Sequence, residues 1–447
     1  TLFLKKSGTI RTPHGIPRKF PSQTKIMIIA TLQSVAEALR LFGDVFSVIW
    51  FIILPIGLFL LFKSLWMRYA LIVNLTQTPF VVLEIIPPRD LEKSPKIMES
   101  FYSGFAGTDK TPNALEIYCD GYFNPWISLE LVGKEGAVHF YIRTPKDVRN
   151  LVEAHIYAQY PDAEIVEVAD YTDDVPKILP NKEWDLWGTD FELANKDAYP
   201  VKTYRYFEED ITGKMIDPLA AIVESMGKLG QGQYIWFQLV IQSLPPRWRQ
   251  EGLEVVKELA GRTKKPESVF AHFFADVSDI FGNITKGLFS PVEFATPSEK
   301  KEEQPLEFRL TPIERKVLEA VEGNIGKDVF RTKMRFIYLG RREGFDKQNV
   351  SAFIGGIKQF NDHNLNGFKP YDISKTYASH LFKEFRLRYR QRKILKRYRD
   401  RDWTGKTFIL STEELASVYH LPDMSVVAPS IVRVEARRGS APSNLPI

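Results

Sequence analysis

The sequence predicts an α+β protein: one N-terminal transmembrane helix, then a ferredoxin-like βαββαβ module, then a second, insertion-bearing ferredoxin-like module. Three observations carry that expectation. Val45 to Phe62 reads VFSVIWFIILPIGLFLLF, 18 residues without a charge. Behind it, alternating and helical apolar periods succeed one another in the order βαββαβ over residues 78–169. A similar succession restarts near residue 201 and is interrupted by a charged, Pro-containing stretch.

As a helix, the apolar run reaches about 27 Å, close to the roughly 30 Å hydrocarbon core of a bilayer. Core helices of soluble proteins rarely stay apolar on every face for this length. Asp44 bounds one end, and Lys63, Trp66 and Arg68 bound the other as interfacial anchors, so residues 45–67 are taken as the span. A cleaved signal peptide does not fit, since the run starts far from Thr1 and no small-x-small site follows it. Residues 1–44 form a basic tail (Lys5, Lys6, Arg11, Arg18, Lys19, Lys25) with an amphipathic segment at 26–42. That tail argues for an inside N-terminus, whereas the charges nearest the span balance, Lys25 and Arg40 against Lys63 and Arg68. The large thiol-bearing body after the span points to a cytoplasmic C-terminal side.

The first domain is expected over 69–175. A strand at 78–88 ends at Pro87 and Pro88, and a helix covers 94–105. Two alternating runs in 126–143 flank Gly133-Lys134-Glu135-Gly136, a hairpin pattern. Thr144 caps a helix with Pro145 at its first position, Pro161 stops it, and 163–169 is the last strand. The second domain begins with 184–295: a strand at 201–207, a helix at 217–229, a strand at 233–244 and a helix at 247–262. Residues 296–310 (TPSEKKEEQPLEFRL) read as a solvated, disordered linker. The rest, 311–410, supplies a helix from Ile313, a strand at 333–340, a helix at 350–360 and a strand near 407–410. The aromatic-dense run Trp184 to Phe191 reads as a packed junction between the modules, with a peptide-binding surface as the alternative.

The 447 residues, 44% hydrophobic and 26% charged, suffice for two or three cores, and a net charge of +5 does not by itself imply a nucleic-acid partner. A single cysteine, Cys119, excludes an internal disulfide. Thr1 in first position leaves a processed product and a fragment both open.

Motifs of catalysis are missing or spoiled. GFAGTDKT at 104–111 nearly matches a phosphate loop, but Asp109 stands where glycine must let backbone N–H groups turn to the phosphates. Gly227, Gly230 and Gly232 follow a helix and read as a cap and turn. The seven histidines show no metal-ligand spacing, and Asp170, Asp173 and Asp174 lack the glycine and closing glutamate of a calcium loop. The expectation is no catalytic residue, no cofactor and no metal; an enzyme with a dispersed site is the remaining alternative.

The sharpest local feature is residues 382–401 (FKEFRLRYRQRKILKRYRDR), ten Lys or Arg against Glu384 and Asp400. Arg386, Arg388, Arg390, Arg392, Lys393, Lys396, Arg397 and Arg399 are the candidate contact residues. Phosphates of nucleic acid, with Tyr389 and Tyr398 stacking on bases, and anionic lipid headgroups fit equally well; so does a solvated face or a contact for an acidic partner.

Four runs carry a resemblance: FYIRTPKDVRNLVEAHIYAQYPDAEIVEVADYT (140–172), WDLWGTDFELANKDAYPVKTY (184–204), DPLAAIVESMGKLGQGQYIWFQLVIQ (217–242) and STEELASVYHLPDMSVVAPSIVRVEARRGSAPSNLP (411–446). Together they resemble the membrane-anchored region of unknown function that precedes the motor in bacterial type IV secretion and conjugative DNA-transfer ATPases. The likeness covers the chain from about residue 69 onward. In fused members the ATPase core follows the segment matching VRVEARRGSAPSNLP, and this chain stops at Ile447, so no catalytic residue is carried over. The resemblance implies a single-pass protein of the bacterial inner membrane with a cytoplasmic body. It also implies an oligomer docked on a hexameric secretion or conjugation ATPase, with 411–447 as an extended linker toward the motor. On this expectation the protein is a non-catalytic anchoring and docking component of a DNA or protein transfer machine. The alternative is a stand-alone membrane-tethered nucleic-acid-binding or scaffold protein.

Overall fold

A computed structural model describes residues 22–88, 91, 93–207, 216–245, 247–260, 310–403, 405–423 and 431. The chain forms a mixed α/β structure in two compact units: helix α1 up to Leu75 with Asn113–Tyr122, and the remainder.

In the first unit, α1 (Ser22–Gln77) is continuous and longer at both ends than the expected span of 45–67. Among the described residues it is the one helix long and apolar enough to cross a membrane, over Trp50–Gln77; its most apolar stretch is exposed, and Ala70 beyond it is buried. A short helix, α3 (Ala114–Tyr118), opens with a capping box of Asn113 and Glu116 and lies along the end of α1. Trp66 Nε1 donates to the Tyr118 carbonyl at 2.7 Å, and Asn74 Nδ2 to that of Asp120 at 2.7 Å. Gly121 (φ +63) closes this contact; a Cβ there would lie 2.3 Å from the Ala70 backbone, so only glycine fits.

The second unit is built on one sheet. Its strands are β1 (Phe80–Ile86), β2 (Trp126–Lys134), β3 (Ala137–Pro145), β4 (Glu164–Val168), β5 (Trp184–Leu193), β6 (Gln233–Ser243), β7 (Val329–Arg341), β8 (Phe368–Pro370) and β9 (Phe408–Ser411). Among the described residues these nine form a single antiparallel sheet in the order β4-β1-β3-β2-β6-β7-β5-β8, with β9 also on β7. Two separate modules were expected; instead β2 and β6 pair along nine residues, Trp126↔Gln242 to Lys134↔Tyr234, and fuse the halves. Outward from that pair each half repeats one succession: second, third, first and fourth strand of its own segment.

The β2–β3 hairpin forms where the alternation placed it, around Glu135 and Gly136, both at positive φ as a two-residue turn requires. Helices α2 (Lys96–Ala106), α4 (Arg149–Gln159), α5 (Ala220–Gly227), α6 (Trp248–Leu259), α7 (Pro312–Ile325) and α8 (Gln348–Lys358) lie within a few residues of expectation. Thr144 and Pro145 do not cap α4: they finish β3, and a 3-10 turn at Lys146–Val148 leads into the helix. Residues 201–207 are not a strand but end in a 3-10 turn at Tyr204–Phe207. The strand of that half is β5, the run read as a module junction. Trp184, Leu186, Gly188 and Asp190 alternate with Trp187, Thr189 and Phe191 across two covered faces, so no polar side marks it as a strand.

The C-terminal stretch from Ser411 is not wholly an extended linker. After Ser411 closes β9, helix α10 (Thr412–Val418) starts on a Ser411–Glu414 capping box and is buried throughout. Ile431 then bridges Val138. The disordered-linker assignment at 296–310 lies outside the described residues except for Leu310, as do residues 1–21 and 432–447.

The two faces of the sheet are covered differently. On one, Leu83, Ile142, Leu129, Leu239 and Met334 form an apolar row under α2, α4, α5, α8 and α10. On the other, a smaller cluster of Val132, Trp236, Ile337, Leu339 and Trp184 meets helix α9 (Lys383–Arg399) through Ile394, Leu395 and Tyr398.

Candidate anion-binding face and the buried polar row beneath it

The basic segment is the helix α9. Gln391, Ile394, Leu395 and Tyr398 are its buried residues, a stripe at i, i+3, i+4 and i+7 that seats it on the sheet. The alternation of Arg386, Arg388, Arg390 and Arg392 does not gather them on one side, because every second residue of a helix turns by about 200°. Arg386, Arg388, Arg392, Lys393 and Lys396 are exposed. Arg390, Arg397 and Arg399 are half-buried and act as anchors. Arg390 donates to the carbonyls of Lys375 and Tyr377, and Arg399 to those of Thr172, Val175 and Pro176. Arg397 lies 3.9 Å from both Asp190 and Asp402.

Beneath the helix runs a row of polar side chains that sequence reasoning missed. Glu130 on β2 is opposite Gln238 on β6, which is opposite Arg335 on β7, which is opposite Asp190 on β5. All four are 0% exposed. They are linked side chain to side chain: Gln238 Nε2 donates to Glu130 Oε1 at 2.9 Å, Arg335 Nη1 to Gln238 Oε1 at 3.1 Å, and Arg335 Nε to Asp190 Oδ1 at 2.8 Å. A faint signal was present. Three strands set a long polar residue directly between two apolar ones: Glu130 between Leu129 and Leu131, Gln238 between Phe237 and Leu239, and Arg335 between Met334 and Phe336.

The row also holds the end of α9. Arg335 donates to the carbonyls of Arg397 (2.6 Å) and Asp402 (2.9 Å), and Gln238 Nε2 to that of Tyr398 (3.1 Å). A helix C-terminus leaves carbonyls without partners and carries partial negative charge, and here a buried guanidinium meets both needs. Arg401, just past the helix at φ +49, completes the layer. Its guanidinium grips Glu130 with two bonds, 2.9 and 3.0 Å, and also reaches Asp170. Tyr171 donates to Glu130 Oε2 at 2.7 Å, and its hydroxyl lies 2.8 Å from that of Tyr398. Lys333 Nζ sits 3.2 Å from Asp190 Oδ2.

The charges close on themselves: Glu130, Asp170 and Asp190 face Arg401, Arg335 and Lys333. Burial alone raises the Glu130 carboxyl, but Arg401, Ser128 and Tyr171 outweigh it and hold it below the ordinary value. The same balance, with Arg335 and Lys333 as the cations, lowers Asp190. Burial lowers Lys333 to about 8 against the pull of Asp190. Asp190 Oδ2 accepts no hydrogen bond, but the other links of the row are hydrogen-bonded ion pairs suited to holding elements together.

Elsewhere in the second unit, a cavity of about 280 Å³ is lined by Thr203, Arg205, Asn324, Lys327 and Glu413. Glu413 there takes Arg205 at 3.1 Å, Lys327, and the Thr203 hydroxyl at 2.7 Å. The phosphate-loop-like run places Asp109 in a loop after α2, where Asn124 Nδ2 donates to it. His420 is buried against Asp217 at 3.0 Å. No group of three or more His, Cys, Asp or Glu among the described residues is placed to hold a metal ion.

These features define a mixed α/β protein with one large antiparallel sheet and one N-terminal helix apolar enough to cross a membrane. A family model, described as a domain of unknown function (DUF8128), matches residues 75–433, and the chain belongs to that family. A comparison with curated proteins found no match.

Proposed function

We propose that the protein is a membrane-anchored, non-catalytic docking subunit that presents α9 to an acidic ligand. The observation that carries this reading is α1: its described apolar side chains from Trp50 to Phe62 are all exposed. The α3 strap on Trp66 and Asn74 supports a bilayer boundary near Lys63, because the polar residues Asn113, Glu116 and Asp120 belong in water or headgroups. The non-catalytic part rests on the charge balance under α9, where each ionised group already has a partner.

The partner and setting follow from the resemblance to type IV secretion and conjugative ATPases. The anchor lies in the bacterial inner membrane with the body cytoplasmic, and the body, as an oligomer, docks on a hexameric ATPase that moves DNA or protein. The strand orders β4-β1-β3-β2 and β8-β5-β7-β6 support reading both halves as ferredoxin-like units joined edge to edge.

Alkaline carbonate washing of membranes tests the anchor: the chain stays in the pellet, and its release rejects the reading. A tagged full-length chain, solubilised in detergent, is expected to co-purify a phosphate-loop ATPase; ATP hydrolysis by the purified chain itself rejects the non-catalytic assignment. The exposure of six cations on α9 favours one second reading, a stand-alone tethered nucleic-acid-binding protein. That reading requires oligonucleotide affinity falling steeply with salt, in the absence of any ATPase partner.

A further inference from the structure

The start of α9 carries an unusual surface. Leu381, Phe382 and Phe385 are 78%, 77% and 74% exposed, and Tyr377 and Tyr389 are 60% and 57% exposed. The chain enters the helix through two left-handed residues, His380 (φ +68) and Phe382 (φ +55). That conformation is unfavourable for side chains with a Cβ, so two large residues stand here against the backbone preference. Lys383, Arg386, Arg388, Arg392 and Lys393 surround them, all exposed, with Glu384 the one acid on this stretch of helix. Phe385, Tyr389 and Lys393, four residues apart, form a ridge pointing away from the buried stripe.

We infer that this end of α9 is a second membrane contact: Phe382, Phe385 and Tyr389 enter the headgroup region of an anionic bilayer, and the surrounding Lys and Arg pair with lipid phosphates. The inference deepens the proposed function and rests on α1 as a membrane span. Charge complementarity names the occupant, since cations flank apolar side chains with almost no acid among them. Nucleic acid would use the cations and Tyr389 but gives Leu381 no partner, whereas a bilayer interface takes all of them. A span in the same chain keeps lipid at high effective concentration, so a patch this small suffices.

The test uses the full-length chain in nanodiscs, with Cys119→Ser and a fluorescent dye on Phe385→Cys. A second preparation carries the dye on Leu58→Cys, within the apolar run. Both sites are exposed, which keeps the fold intact. Brominated phosphatidylcholine is the quencher, with or without phosphatidylglycerol. The dye at 58 is expected to be quenched in both lipids. The dye at 385 is expected to be quenched in anionic discs and at least about threefold less in neutral ones. Changing Arg386, Arg388, Arg392 and Lys393 to Gln abolishes quenching at 385 alone. Quenching at 58 with none at 385 in anionic discs overturns the contact and leaves the span standing. No quenching at either site overturns both. Emission at 385 that ignores brominated lipid but shifts, salt-dependently, with a single-stranded oligonucleotide assigns the face to nucleic acid and overturns the inference.

Discussion

Glu130 and Glu414 are both buried carboxylates, one on each side of the same sheet, and their surroundings drive them apart. On the α9 side, Arg401 meets Glu130 with two bonds and its pKa falls. On the apolar side, Glu414 receives only neutral donors, the N–H groups of Val201 and Ser411 and the Ser411 hydroxyl, and burial pushes it up to about 7. One face is held by charge brought in with its partner. The other is held by packing, and the carboxylate it encloses serves a helix cap. The difference teaches that burial of a charge is not one quantity; its sign depends on what is buried with it.

The largest effect should come from breaking the charged side. Arg401→Met leaves Glu130 buried without its cation and is expected to cost about 3–5 kcal/mol in urea unfolding. Adding Glu130→Gln should recover part of that loss, and a double variant as unstable as the two single changes summed would refute direct coupling.

The apolar side is sharpened by pH. Unfolded Glu414 ionises near 4.5 and folded Glu414 near 7, so between these values the folded chain holds a proton that the unfolded chain has lost. Stability from this group therefore falls as pH rises through that window, by up to about 3 kcal/mol. Glu130 runs the other way: its contribution is present above the ordinary carboxylate pKa and is lost on acidification below it. Urea melts at either end of the window should show the decline, and Glu414→Gln should flatten it.

Smaller effects separate anchors from contacts on α9. Arg399→Ala removes donors to three carbonyls and should cost about 1–2 kcal/mol. Arg388→Gln or Lys396→Gln should leave thermal unfolding unchanged within about 0.5 kcal/mol. Equal losses for all three would mean that the helix has no distinct outer face.

Sequence alone exposed what is local and missed what is made by pairing. The β2–β3 hairpin was legible because alternating runs flank a turn with glycine. β5 was not, since Trp184 to Phe191 is covered on both faces and shows no alternation of polarity. The polar row was hidden for a related reason. Glu130, Gln238, Arg335 and Asp190 lie far apart in the chain, and only strand register makes them neighbours. On α9 the composition marked the segment, but not that Arg390, Arg397 and Arg399 turn inward while six of their basic neighbours remain outside.

Helix α9 is seated through Gln391 to Tyr398 and gripped at its far end by Arg335, while everything from Leu381 to Arg386 is left exposed by the rest of the chain. It is a cantilever. A load on Phe382 acts through an arm of about 12 Å before it meets Arg390, the first anchored residue, and the torque is delivered to hydrogen bonds that span four strands of the sheet. A push at the tip is thereby felt across β5, β7, β6 and β2 together.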